Sequence, residues 1–160
     1  MGTRDKIVSL ETLKGKINRH RQEKKTIAFT NGCFDILHFG HVNYLEAAKK
    51  KNRVLIVGLN SDASTRRIKG PQRPINSQKE RARVLAALGC VDYVVIFNED
   101  TPSRVIAAVK PDVLIKGADW KGKDVAGSDV VAKSGGKVEF IKYLTSYSTS
   151  NTIAAIQKSA

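Results

Sequence analysis

Residues 26–50 read TIAFTNGCFDILHFGHVNYLEAAKK. The segment begins with a short apolar run, TIAFT, of the kind that forms a buried strand. A tight polar stretch follows, Asn31-Gly32-Cys33-Phe34-Asp35, and then two histidines, His38 and His41, separated by Phe39 and Gly40. From His41 the spacing of Val42, Leu45 and Ala48 is helical. The order is therefore strand, glycine-containing loop, histidine pair, helix. A helix N-terminus carries unpaired N–H groups and partial positive charge, which favours an anion. Each imidazole adds a donor for a phosphate oxygen. Gly40, without a Cβ, lets backbone approach a ligand closely. A lone histidine is usually an ordinary surface or core residue. Here two of the three histidines fall in one strand-loop-helix entry beside Gly32 and Gly40, which points to a bound nucleotide triphosphate.

Outward from this segment the chain alternates strands and helices. Ser9 caps a helix expected over residues 10–22, with strand one at 25–30 and its helix at 41–50. The run VLIVGL at 54–59 reads as a strand buried on both faces. Residues 60–76 read as a long basic loop, holding Arg66, Arg67, Lys69 and Arg73 among Gly70, Pro71 and Pro74. Ser77 and Glu80 form a capping-box pattern opening a helix to about residue 88. Strand three is expected at 91–97, and Thr101-Pro102 as N-cap and first helical residue of the next helix. Strand four falls at 113–116, a polar loop at 119–127, a short helix capped by Ser128 at 128–133, strand five at 137–142, and a last helix after Ser148 or Thr149. The expected fold is α/β, a single Rossmann-like domain with a parallel five-stranded sheet and helices on both faces. Residues 1–24 read as an N-terminal helical extension and 25–160 as the domain proper. Ligands in such folds bind outside the carboxyl ends of the strands, where the loops after strands one, two, four and five converge.

Composition narrows the classes. Lysine and arginine total 28 against 15 acidic residues, net +13, so the partners are anionic. Nucleic acid, an acidic membrane surface and phosphorylated small molecules all satisfy that charge. A nucleic-acid module is disfavoured, because aromatics are only 6% and no nucleic-acid motif appears. No apolar run approaches the roughly 20 residues needed to span a bilayer. The N-terminus lacks the apolar core of a signal peptide, so a cytoplasmic protein without membrane insertion is expected. Cys33 and Cys90 form no metal-ligand spacing. Zinc at His38 and His41 is weak, with only Asp35 nearby as a further ligand. P-loop and GxGxxG signatures are absent.

Three further signals lie on the ligand edge. Ser148-Thr149-Ser150 is either a plain N-cap cluster or a second phosphate contact. The run Arg66-Arg67-Ile68-Lys69-Gly70 is either a solvated basic loop or charge neutralisation for a polyphosphate. Trp120 either stacks on a base or covers the core, and His20 reads as a helix-surface residue. No nucleophile triad or spaced carboxylate pair stands out, which favours chemistry by positioning and electrostatics, as in phosphoryl or nucleotidyl transfer.

Gly32 to His41 resembles the GxFDxxHxGH signature of the cytidylyltransferase-like nucleotidyltransferases, and Tyr147-Ser148-Thr149-Ser150 resembles their second, ISTS-type motif. FTNGCFDILHFGHVNYLEAAK, Asn60-Ser61-Asp62-Ala63-Ser64, Lys69-Gly70-Pro71, Arg73-Pro74-Ile75-Asn76, VLAALGCVDYVV, Glu99-Asp100-Thr101-Pro102 and KPDVLIKGADW narrow the likeness. Together they resemble the adenylyltransferase half of bacterial heptose kinase/adenylyltransferases, over residues 27–156. That family moves AMP from ATP to D-glycero-β-D-manno-heptose 1-phosphate for lipopolysaccharide core assembly. At this length the likeness is to a monofunctional form, with a separate kinase implied. A cytidylyltransferase acting on another phosphorylated acceptor such as glycerol 3-phosphate is the alternative. Those enzymes carry an arginine where this chain has Tyr143-Leu144-Thr145, which argues against them.

The resemblance implies roles residue by residue. Thr30, Asn31, Gly32, Cys33 and Phe34 wrap the nucleotide phosphates and the acceptor, with Gly40 close by. His38 and His41 hold the α- and β-phosphates and stabilise the leaving pyrophosphate. Lys69, with Arg66 or Arg67, neutralises the outer phosphates. Lys116, Gly117, Asp119 and Trp120 border base and ribose, and Tyr147, Ser148 and Thr149 close over the triphosphate. Asp35, Asn60 and Asp62 face the sugar. Mg²⁺ arrives with ATP, without a protein cage. Homodimers are common among small domains of this fold, and pairing of two copies is a further expectation.

Overall fold

The computed structural model describes residues 2–142 and 147–159. The elements in chain order are α1 (Leu10–Gln22), β1 (Thr26–Gly32), α2 (Phe39–Ala48), β2 (Arg53–Asn60), α3 (Asp62–Lys69) and α4 (Gln78–Ala87). They continue with β3 (Tyr93–Phe97), α5 (Ser103–Val109), β4 (Val113–Gly117), α6 (Ser128–Lys133), β5 (Lys137–Ile141) and α7 (Thr149–Ser159). The five strands form one all-parallel sheet in the order β3-β2-β1-β4-β5. Strand order reverses between β1 and β4, and this switch point sets where a ligand crevice opens.

Helices cover both faces. On one face Leu13 and Ile17 of α1, Val105, Ile106 and Val109 of α5 and Val131 of α6 pack on Ile27, Phe29, Val54 and Ile56. The helix of the N-terminal segment thus shares its core with the central strands. On the other face Tyr44, Leu45 and Ala48 of α2 and Ala82, Leu85 and Ala86 of α4 pack on Ala28, Leu55, Val57 and Ile115. Every residue of β2 is buried, as expected of a strand covered on both sides. Gly58 is required there, because a Cβ would lie 2.5 Å from the Phe29 ring of β1. Among the described residues no helix is long and apolar enough to cross a membrane.

The caps at Ser9 and Ser77 form as the sequence indicates, the latter as a complete capping box with Glu80. Other expectations are corrected. The basic loop after β2 contains α3, whose N-cap Ser61 accepts from the Ser64 amide at 3.1 Å. Its Ser64 and Thr65 are fully buried, so tertiary packing overrides the weak helix propensity of Asp-Ala-Ser-Thr. Helix α2 starts two residues earlier than the periodicity suggested, with His38 itself at the N-cap. Pro102, not Thr101, is the N-cap of α5, and Gly127, not Ser128, that of α6. His20 is mostly buried, and its Nε2 lies 2.9 Å from the Tyr93 hydroxyl.

Candidate active site

A cleft of about 540 Å³ opens at the carboxyl edge of the sheet. Its origin is visible in the ladders. Strands β1 and β2 pair along their whole length, whereas β1 and β4 pair only at Ala28↔Val113 and Phe29↔Leu114. Beyond that point the two strands are joined by side chains, with Lys116 Nζ donating to Asn31 Oδ1 at 2.6 Å. The chain leaves β1 through Phe34, a buried non-glycine residue at φ 43°, a rarely populated conformation that turns the loop over the strand end.

The histidines stand at the cleft's centre. His38 is the N-cap of α2 and His41 sits in its first turn. Their rings stack at a centroid distance of 3.8 Å, with the Phe34 ring 5.0 Å from His41. Gly40 makes the stack possible, since a Cβ would come within 3.1 Å of both His38 Nδ1 and the Tyr147 Cβ. Both nitrogens of His38 and Nδ1 of His41 are buried without a hydrogen-bond partner among the described residues. Leaving such a group unpaired costs about 1–3 kcal/mol. Burial, and then the neighbouring His38, push the His41 pKa down to about 4, against a weaker opposing hydrogen bond to the Ile36 backbone. Burial lowers His38 as well. Two stacked imidazolium ions would repel, so the pair is neutral near pH 7 and offers N–H donors without fixed charge.

One wall is built by β4 and α7. Lys116 is buried, and burial lowers its pKa to about 8 against the opposing charge of Asp119. Its ammonium lies 5.3 Å from the centroid of Trp120, whose indole is 41% exposed. Ser148 Oγ accepts from the Asn151 amide at 3.0 Å, capping α7. Thr149 Oγ1 donates to the Ile36 carbonyl at 3.2 Å, tying α7 to the loop that carries the histidines.

The opposite wall comes from β2, α3 and the segment after it. Lys69 is exposed at the end of α3, lines the cleft and forms no ion pair with a described residue. Arg67 is paired with Asp100 at 2.7 Å and donates to the Asn98 carbonyl, and Arg66 is exposed outside the cleft lining. Asp35 is nearly inaccessible. Its Oδ2 accepts from Arg73 Nε at 2.5 Å, and its Oδ1 from the amides of Ile75 at 2.8 Å and Asn76 at 3.0 Å. Burial opposes ionisation there, but those backbone bonds and Arg73 outweigh it and hold the carboxyl below its ordinary value. Below it the buried Arg81 binds the carbonyls of Cys33 and Asn76 and, at 2.8 Å, Asp62 Oδ1.

Most residues singled out from the sequence meet in this cleft: Asn31 to Asp35, the histidines, Asn60, Lys69, Lys116, Gly117, Asp119, Trp120, Ser148 and Thr149. Thr30, Gly40, Asp62, Arg66 and Tyr147 do not line it. Thr30 is fully buried with its hydroxyl 2.9 Å from that of Tyr44, and Tyr147 packs edge-on against Phe39 at 5.3 Å. The carboxylates of Asp35 and Asp62 are engaged by arginines, and Asn60 Nδ2 donates to Ser64 Oγ at 3.0 Å. The Tyr143-Leu144-Thr145 stretch lies outside the described residues. Sequence reasoning missed Tyr44, Arg73, Asp100 and Thr101, which also line the cleft, and the buried Arg81 beneath it. Arg73 stood in plain view within a basic run, but its partner Asp35 is 38 residues away, and no local pattern reports that pairing. Among the described residues no group of three His, Cys, Asp or Glu is placed to hold a metal ion.

The cytidylyltransferase-like family profile matches residues 29–151. The chain is 53% identical over 151 residues to the bifunctional protein HldE of Geobacter metallireducens, covering 94% of this chain and 31% of that protein. It is 57% identical over 137 residues to HldE of Campylobacter jejuni, covering 86% and 29%. The chain thus spans about a third of the length of the curated relatives it matches. The lipopolysaccharide core biosynthesis protein from Thermoplasma volcanium superposes with a TM-score of 0.60 at 27% identity, over 74% of this chain and 96% of that one. Pantoate-beta-alanine ligase from Francisella tularensis, complexed with beta-gamma ATP and beta-alanine, shares the fold, with a TM-score of 0.58 at 14% identity over 93% and 76%.

Proposed function

The chain belongs to the cytidylyltransferase-like family, and from that premise we propose that it moves AMP from ATP to D-glycero-β-D-manno-heptose 1-phosphate, giving ADP-heptose and pyrophosphate. The observation that carries nucleotidyl transfer is the stacked histidine pair, with three buried nitrogens that lack partners among the described residues, at a helix N-terminus inside the cleft. The choice of acceptor is supported by the identity to HldE proteins and by the resemblance to a lipopolysaccharide core biosynthesis protein. These relatives do not favour a glycerol 3-phosphate cytidylyltransferase or a nucleic-acid module.

A phosphate oxygen of the sugar phosphate attacks the α-phosphorus in line. The bond from that phosphorus to the α,β-bridging oxygen breaks, and its electron pair leaves with pyrophosphate. The nucleophile is already an anion, so no residue has to remove a proton from it. His38 and His41 donate to the oxygens on which charge grows, in a site shielded from water, where such donors are most effective. Lys69 meets the outer phosphates, and Trp120 and Lys116 border the base and ribose. Mg²⁺ would enter with ATP and be held mainly by its phosphates, since of the carboxylates lining the cleft Asp35 and Asp100 are paired with arginines and only Asp119 is not paired with a described residue.

The test is pyrophosphate release with ATP or CTP against a panel of sugar phosphates and glycerol 3-phosphate. ATP with the heptose phosphate should be the preferred pair. Turnover of CTP with glycerol 3-phosphate, and none with ATP, would remove this reading.

A further inference from the structure

We propose that Arg73 is the receptor for the phosphate of the acceptor substrate, held ready for it by Asp35. The proposal rests on the nucleotidyl-transfer reading above and names the group that grips the second substrate. Arg73 lines the cleft, and its side chain is only 16% exposed. Its single hydrogen bond to a described residue is made by Nε, to Asp35 Oδ2 at 2.5 Å. Asp35 is itself fixed by the amides of Ile75 and Asn76, so the carboxylate cannot swing round to meet the whole guanidinium. Nη1 and Nη2 therefore have no partner among the described residues, in a largely buried side chain whose plane is already set. That is the arrangement a bidentate phosphate contact needs, with the orientational entropy removed in advance.

The ligand class follows from the chemistry and the side of the cleft. Two Nη donors in a rigid fork match two oxygens of a phosphomonoester. Trp120 and Lys116 stand on the β4 side, whereas Arg73 stands with Asn60 and Lys69 on the β2 side, with the histidines between them. With base and ribose on the β4 side, the acceptor comes from the β2 side. In-line attack requires a fixed direction of approach, and a fixed fork supplies it. The flexible Lys69 suits the tail of the triphosphate instead. Asn60, whose amide is anchored on Ser64, lies on the same side for the polyhydroxylated remainder of the acceptor.

The discriminating experiment measures R73Q and R73K by steady-state kinetics with each substrate varied in turn. Alongside it, calorimetric binding of heptose 1-phosphate is measured in the presence of Mg²⁺ and the non-reactive α,β-methylene ATP. R73Q should raise the acceptor KM about 100-fold while the ATP KM stays within about twofold. R73K keeps the charge but cannot serve Asp35 and phosphate together, and should lose about 10-fold. Nucleotide analogue binding, followed by fluorescence of Trp120, reports that each variant is folded. A rise in the ATP KM with the acceptor KM unmoved overturns the proposal, as does a loss of stability without any change in acceptor binding. If the wild-type enzyme turns over glycerol 3-phosphate and not the heptose phosphate, the acceptor reading fails. The glycerol 3-phosphate KM of R73Q then decides the role of Arg73. If no acceptor is turned over, the binding arm decides it, and unchanged binding in R73Q overturns it.

Discussion

The two ends of the sheet carry similar charged and polar groups and treat them in opposite ways. At the amino end three carboxylates, Asp112, Asp92 and Glu139, are answered by donors. Asp112 accepts from the Ile27 amide at 2.7 Å, Asp92 from the Leu55 amide at 2.6 Å and from Lys49, and Glu139 from Arg53 at 2.9 Å and from Lys50. These contacts fasten neighbouring strands and helices together. At the carboxyl end, donors are left open among the described residues: the buried nitrogens of the histidine pair and the outer nitrogens of Arg73. A buried group left unsatisfied in a folded chain calls for an explanation, and under the proposed function that explanation is a ligand that satisfies it on binding. One end holds the fold, and the other keeps its hydrogen-bonding capacity for substrate.

The largest effect that tests this contrast is on turnover. His41→Ala should lower kcat by about 10²–10³, the loss typical for one donor to developing charge. The urea midpoint of the same variant should fall far less than its turnover, because the lost bond to the Ile36 backbone is offset by removal of Nδ1, which is buried without a partner among the described residues. A fall in stability as large as the fall in activity would place His41 with the structural groups. Glu139→Ala is the mirror experiment. It leaves the buried Arg53 without its carboxylate and should cost about 2 kcal/mol, short of the 3–5 expected for a fully buried pair, since Glu139 is 20% exposed. Its KM values should not move.

Acidity separates the two ends without any substitution. The histidines have pKa values lowered from 6.5, His41 to about 4, so the unfolded chain binds more protons than the folded one between those values. Stability from this source is complete above pH 6.5 and falls as pH drops through 4. Glu139 is lowered from 4.5 to about 2, chiefly by its bonds to Arg53 against the cost of burial, so its contribution is lost only between pH 4.5 and 2. Urea midpoints measured from pH 7 to pH 4.5 should therefore slope downward in the wild type. The slope should flatten in a His38→Gln/His41→Gln double variant and persist in Glu139→Ala. A slope carried by Glu139 would reverse the assignment.

The same contrast explains how much could be read from the residues. The strand–helix alternation, the all-parallel sheet and the converging loops were legible because they rest on local periodicity and caps, as at Ser9 and Ser77. The histidine pair was legible because His38, Gly40 and His41 lie within one turn. Helix α3 was hidden, since Asp62 to Thr65 look like a loop until Ser64 and Thr65 are seen packed beneath Asn60 and Glu99. Arg73 and Arg81 were hidden for a different reason. Whether an arginine in a basic run is solvated or turned inward depends on carboxylates and carbonyls far away in sequence, here Asp35, Cys33 and Asp62. Patterns of period two or 3.6 carry no information about such pairs.

The smallest effect probes the border between the two ends. Ser77 caps α4 directly after Asn76, the residue whose amide and side chain fix Asp35. Ser77→Ala removes one half of the capping box and should cost about 1 kcal/mol. If the cleft depends on Asp35 being held from several sides at once, fraying at the start of α4 stays local. The guanidinium of Arg81 still clamps the Asn76 carbonyl at 3.0 Å, and Arg73 and Ile75 still bond the carboxylate. The urea midpoint should then drop while the acceptor KM stays within about twofold. A larger rise in that KM would mean that the capping box belongs to the substrate end, and that the boundary drawn here lies one helix too early.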